Sequence, residues 1–340
     1  MNTTFDSNLI YWTAFVSNMM VNISQYAMGA VIFIGDIGAV LSFVTLYQPA
    51  LRKNSCALYY LASSATQIID FNFGLMTRML QYGYNVNTVN YVPWFCKIRY
   101  YLLYVFVAIP RYFIILASID RYFASSHDAL RRQWSSKKIA HRVIFINIIF
   151  WLLIYVHVLI FYEIQHGECL PRKGAYNIFF SIYIAFDSGI LPPLFIIIFS
   201  LLTLRNIRHI KNRTNPMNGA NGGQHIPTTI MAKKDLQLFK IAFNEAIIFV
   251  ILSTLNPCYF LYQAFTMNTQ KSPLRLLVEL SVFHTSYVFL QLELALTFFI
   301  YIWSASIFRQ EFLRLFKHKI CRRRIEDPRI VTNERHHVLQ

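Results

Sequence analysis

The sequence predicts an all-α protein, a bundle of seven membrane-spanning helices followed by a short amphipathic eighth. Three observations carry this. Of the 340 residues, 56% are hydrophobic and 14% charged, where a soluble domain carries about 25% charged. Seven stretches are apolar over the roughly 20 residues needed to cross a hydrocarbon core about 30 Å thick. The basic residues, 32 Lys+Arg against 16 Asp+Glu, gather on one side of those stretches. So apolar a chain is not disordered, and so few charges could not coat a water-soluble enzyme of this size. A net charge of +16 here reports orientation. No nucleic-acid partner is expected, because a simple basic binder would not be this apolar.

The spans are expected at 27–48, 56–80, 95–121, 142–163, 176–204, 239–265 and 276–303. That makes 1–26 an extracellular N-terminus, 27–303 the membrane domain, and 304–340 an amphipathic helix and cytoplasmic tail. Leu9–Val21 is only moderately apolar and reads as an interfacial cap. No basic region precedes it, so the first span is expected to act as the insertion signal. Pro110, the pair Pro192 and Pro193, and Pro257 fall inside spans three, five and six; membrane helices tolerate them where neighbours satisfy the freed backbone. Asn215–Gly223 reads as a flexible loop. With the N-terminus outside, 24 Lys and Arg fall on the cytoplasmic side and seven outside, two of the seven being Arg78 and Arg99. This is the positive-inside asymmetry. The sequons at Asn2 and Asn22 then face the side where glycosylation occurs, and the one at Asn212 does not.

The third span ends Ala117-Ser118-Ile119-Asp120-Arg121-Tyr122, and Cys96 stands twenty-five residues before Arg121 at the span's outer end. Trp151 is central in span four, Pro257 sits in span six within Thr254-Leu255-Asn256-Pro257, and span seven ends Thr297-Phe298-Phe299-Ile300-Tyr301 before Phe308-Arg309. On these residues the chain resembles the rhodopsin-like (class A) G-protein-coupled receptors over about 27–320, as a divergent member. The usual span-one asparagine is Asp36 and the span-two aspartate falls on Ala65. The span-six tryptophan is Leu255, the span-seven Asn-Pro is Thr297-Phe298, and the span-six acid that often locks the arginine is Gln237.

The resemblance implies a cell-surface receptor at the plasma membrane, not an enzyme, that passes binding of an extracellular ligand to a heterotrimeric G protein. Asp120, Arg121, Tyr122 and Tyr301 would form the coupling switch, and Cys96–Cys169 the outer disulfide. Its register places Tyr100, Leu103, Tyr104, Val107, Tyr259, Tyr262, His284, Tyr287 and Gln291 around the ligand. Amine receptors usually carry an aspartate where this chain has Leu103, and opsins a lysine where it has Gln291. Both subclasses are disfavoured; aromatic walls with a few polar tips suit a small molecule or a peptide, and a peptide is the ligand expected.

Charges within the bilayer read as functional. Asp36, Asp70, Arg111, Asp187, Glu245 and Glu293 all fall inside spans. Counting about 1.5 Å per residue puts Arg111, Glu293 and Asp36 near mid-membrane. Arg111 is expected to pair with Glu293, Asp36 or both, a fixed internal cation in place of a sodium site. In the tail, Phe308, Phe312, Leu315 and Phe316 repeat at helical spacing among Arg309, Arg314, Lys317 and Lys319, as in a lipid-facing helix. Cys321 before Arg322-Arg323-Arg324 is a palmitoylation candidate, with membrane lipids as partners. A seven-span transporter or channel using the intramembrane charges is the alternative, although no internal repeat supports it. The sequence has no HExxH, phosphate loop or metal cluster, and no cofactor is expected.

Overall fold

The computed structural model describes residues 2–213 and 226–315, and these are mostly helical. Five helical runs are long and apolar enough to cross a membrane: Leu9–Leu46, Pro93–Ala124, Lys137–Phe161, Ala175–His209 and Pro273–Ser304. Lys240–Ser253 and Leu255–Thr266, bent by 44°, make a sixth when taken together. Such lengths and compositions are those of a multi-pass membrane protein.

The first run joins α1 (Asn2–Asn22) to α2 (Met28–Leu46) through a π turn at Ile23–Ala27. Leu9–Val21 is therefore no separate cap, and helix crosses the expected boundary at residue 26. Thr13 returns its hydroxyl to the Leu9 and Ile10 carbonyls, so its polarity does not interrupt the helix. Asn22 is exposed on this rod. Cys321 lies outside the described residues, as do Phe316, Lys317, Lys319 and Asn215–Gly223.

The expected second span is α3 (Ser55–Ile69), a π turn at Asp70–Leu75 and α4 (Met76–Tyr84). It is helical throughout but is not one of the runs apolar enough to span. Its packing explains the composition. Ser63, Ser64, Gln67, Asp70, Arg78 and Gln81 are all buried, turned inward against neighbouring helices. Such a helix needs little apolar surface for lipid.

Helix α5 (Pro93–Ala124) is the central post. Pro93 starts it at the position where a missing N–H costs nothing. Pro110 lies inside it, and the Ser63 hydroxyl donates to the Pro110 carbonyl from α3. α6 (Lys137–Ile154) and α7 (Val156–Phe161) follow, broken at Tyr155. A hairpin comes next, β1 (Tyr162–Gln165) against β2 (Glu168–Pro171), with Ile164 opposite Cys169. Its two turn residues, His166 and Gly167, both take positive φ, the backbone a tight two-residue hairpin demands.

α8 (Ala175–Ile184) passes through a π turn at Ala185–Ile190 into α9 (Leu191–Arg213). α10 (Ile226–Ser253) and α11 (Leu255–Thr266) meet at the 44° bend. Pro257 has no N–H for the Ser253 carbonyl, and this accounts for the bend. Gly189 packs against it so closely that a Cβ there would stand 2.3 Å from the Pro257 Cβ. α12 (Pro273–Ala295) and α13 (Thr297–Ser304) complete the last run, and residues 306–315 are helical. Around α5 the helices close a ring: α2 beside α3 and α12, α9 beside α5 and α10, and α10 beside α12.

Candidate functional site

The chain's polar interior falls into three layers along α5, named inner at the helix's C-terminal end and outer at its N-terminal end. At its inner end Asp120 and Arg121 are both buried and bonded to each other. The Asp120 carboxylate also accepts from Ser55 and from Ser135, each at 2.9 Å. Arg121 donates to Asn54 Oδ1 at 3.0 Å and to Ser55 Oγ at 3.3 Å. The same Asn54 oxygen accepts from the Cys56 N–H and so caps α3. One side chain therefore serves both a helix end and the arginine. Gln237 does not reach Arg121. Its amide donates to Ser306 at 2.7 Å and accepts from the Ile307 N–H, tying α10 to the 306–315 stretch. Tyr122 lays its ring 5.9 Å from Phe199 of α9. Tyr301 is fully buried, edge-on to Tyr60 at 5.1 Å and to Phe308 at 5.4 Å, with Glu245 beside its hydroxyl. An inner cavity of about 300 Å³ is lined by Asn54, Tyr60, Gln237, Tyr301 and Phe308 among others.

The middle layer surrounds Arg111. Its Nε lies 4.0 Å from Glu293, and both side chains are 2% exposed. Its Nη atoms donate to the Val107 and Leu290 carbonyls at 3.0 and 3.4 Å. Asp36 does not join: half-exposed on α2, it accepts from Asn72 at 2.8 Å. The side chain turns to the π turn after α3 rather than to Arg111. In its place the guanidinium has Asp70 and Asp187 close enough to feel its charge. Asp70 also sits beside the Gln291 amide. Asp187 accepts from Tyr112 at 2.8 Å and from Tyr155 at 2.5 Å. Both aspartates stand in π turns, where an extra residue re-aims the side chains that follow.

The outer layer is aromatic. The Cys96–Cys169 disulfide ties the top of α5 to β2, and the Cys169 N–H donates to Asn90. The hairpin thereby lies over an outer cavity of about 560 Å³. Of the residues expected around a ligand, Tyr100, Tyr104 and Tyr259 line it, joined by Tyr162. The Tyr162 hydroxyl is 3.0 Å from that of Tyr104, and burial beside this phenol keeps it protonated well above the usual range. Leu103, Tyr104, Val107 and Tyr287 line a deeper cavity of about 20 Å³, room for one water molecule. Tyr262, His284 and Gln291 line neither. Tyr262 donates to Glu279 at 2.7 Å, within a cluster holding Lys271 and Arg275. His284 is fully buried, its ring 3.9 Å from that of Tyr82. Gln291 is fully buried and donates to Tyr287 at 2.8 Å.

Two cations counted with the outside group, near the outer ends of expected spans two and three, are buried in the interior. Arg78 and Arg99 are 2% and 1% exposed. The Arg78 guanidinium lies between the Phe283 and Tyr287 rings, 4.5 and 4.3 Å from their centroids. Arg99 donates from Nε to Thr77 at 3.1 Å and lies over Tyr100. Their place could have been suspected from helical spacing, since Arg78 falls four residues after Gly74 and eight after Asp70 on one face.

Among the described residues no group of three His, Cys, Asp or Glu could hold a metal ion. No protein-family model matches the chain, and no curated protein matches it.

Proposed function

We propose that the chain is a seven-span receptor of the plasma membrane, N-terminus outside, that transmits binding of an extracellular ligand to a heterotrimeric G protein. In this reading 55–84 supplies the seventh crossing and 306–315 the amphipathic helix along the inner surface. The observation that carries it is the pairing of two devices on one helix. At the outer end of α5 a disulfide holds a hairpin over an aromatic cavity. At its inner end a buried Asp120–Arg121 pair is closed by Asn54 and Ser55. A buried arginine whose described partners include Asn54, Ser55 and the Asp120 carboxylate is an element with two states. A partner offering better acceptors would draw it out, and a ligand favouring the open form would shift the balance.

The test is nucleotide exchange on co-expressed G proteins, driven by a ligand library. Arg121→Ala should abolish exchange while surface expression stays. Unimpaired coupling would refute the assignment. The buried charges around Arg111 favour a transporter as the second reading; ligand uptake without nucleotide exchange would establish that instead.

A further inference from the structure

The outer half of the bundle contains an imbalance that its own residues do not correct. Arg78 Nε and Nη2 and both Nη atoms of Arg99 have no hydrogen-bond partner among the described residues. Neither do the ring nitrogens of the adjacent His284. Neither arginine has a carboxylate within ion-pair distance among the described residues, whereas Arg111 has Glu293. The outer carboxylate Glu279 is already held by Lys271, Arg275 and Tyr262. Ring faces attract a guanidinium, but they accept none of its in-plane N–H groups. A buried, fully charged, unpaired guanidinium is strongly unfavourable, and arginine does not escape by losing its proton.

Arg78 also lines the deep cavity, together with Tyr104, Tyr287 and Phe283. Tyr104, Phe260 and Phe283 line the large outer cavity as well, so the two spaces adjoin. By rise per residue, Arg78 stands about 9 Å below Tyr84, the outer end of α4. An entering molecule would meet aromatic walls first and a guanidinium at the bottom.

We propose that this site takes the carboxylate of a small, largely apolar organic acid: the body fills the outer cavity of about 560 Å³, and Arg78 becomes the carboxylate's direct partner as the deep space beneath, which has room for one water molecule, widens to admit it. Arg99 supplies supporting positive charge from the next helix. The fork of a guanidinium matches a carboxylate through two parallel N–H bonds, and Tyr100, Tyr104, Tyr259, Phe260 and Phe283 suit an apolar or aromatic body. The inference rests on the receptor reading for access from outside and for its output; binding itself needs no G protein. It replaces the expectation of a peptide with a smaller, anionic ligand.

The test uses the full chain purified in nanodiscs. Phenylbutyrate, indolepropionate and decanoate are titrated, each against its primary amide, and melting temperature and binding are read. A chloride titration runs beside them. At least one acid should raise the melting temperature where its amide does not. Arg78→Gln should weaken that acid at least ten-fold and melt no lower than wild type in its absence, since it removes an uncompensated charge. Arg78→Lys, which keeps the charge without the fork, should fall between and serves where Arg78→Gln does not fold. Lys97→Gln, a cation on the same side outside the cavities, should bind as wild type. The proposal is overturned if no acid outperforms its amide, if the Arg78 variants bind unchanged, or if chloride alone gives the full shift and blocks the acids. Acid binding without nucleotide exchange would refute the receptor and leave the site. Exchange driven by another ligand, with no acid effect, would do the reverse.

Discussion

Removing Arg111 should cost more stability than removing its ion-pair partner, and the difference can be worked from the geometry. In Arg111→Met the Glu293 carboxylate, 2% exposed, loses the cation 4.0 Å away. Asp70 and Asp187, both within the field of the same guanidinium, lose it too. Orphaning one member of a buried pair costs about 3–5 kcal/mol. Here three carboxyls are affected, so the loss should reach the top of that range. In Glu293→Gln the arginine keeps the Val107 and Leu290 carbonyls and the two aspartates. The Glu293 contact is at the limit of ion-pair distance, and its loss should cost about 1–2 kcal/mol, as for a modest charged hydrogen bond. Thermal unfolding of each purified variant, read by tryptophan fluorescence, measures the order. The double exchange Arg111→Glu with Glu293→Arg should recover only partly, because Glu at 111 would face Asp70 and Asp187. A Glu293→Gln protein less stable than Arg111→Met, or an exchange that restores wild-type melting, would refute the three-carboxyl arrangement.

Other consequences are as direct. Asn54→Ala removes an acceptor from Arg121 and the cap of α3. On the proposed receptor reading it should raise ligand-independent nucleotide exchange, and on any reading lower stability by about 1 kcal/mol; unchanged basal exchange would exclude Asn54 from the proposed switch. Cys96→Ser opens a loop of sequence separation 73. By chain entropy the disulfide contributes about 4 kcal/mol, so surface expression should fall sharply; expression and melting like wild type would contradict its role. Gly189→Ala puts a Cβ 2.3 Å from that of Pro257, an overpacking worth about 1–3 kcal/mol, and undiminished melting would show that the Ala185–Ile190 turn can move off α11.

The parts of this fold that were legible in the sequence are those set by averages and by chain height. Length, hydropathy and charge asymmetry located the apolar runs, and counting residues brought Arg111 level with Glu293. What was not legible depends on direction around a helix. Asp36 turns to Asn72 and not to Arg111. Asp70 and Asp187 reach the interior from π turns, which shift the helical phase by one residue. Arg78 and Arg99 count as outside cations by position along the chain, because a hydropathy window averages the two faces of a helix and does not show which one turns inward. In a helix ringed by protein that average conceals a strongly polar interior. The hairpin was missed because span four was carried as helix through residue 163, although His166-Gly167 between two short apolar-alternating strands was a usable signal.

The bend beside Pro257 has a mechanical consequence. Gly189 clasps the outer segment at the proline, which leaves Ser253–Thr254 as the pivot and the inner segment as a lever. From Lys240 to Ser253 the arm is about 21 Å long. A rotation of about 10° at the pivot would carry Lys240 through nearly 4 Å by the same helical rise. The Gln237 amide bonds to Ser306 and Ile307 lie one turn further along the same helix and would act as the arm's latch. A small change of angle deep in the protein would therefore suffice to break them and part the inner ends of the last two runs.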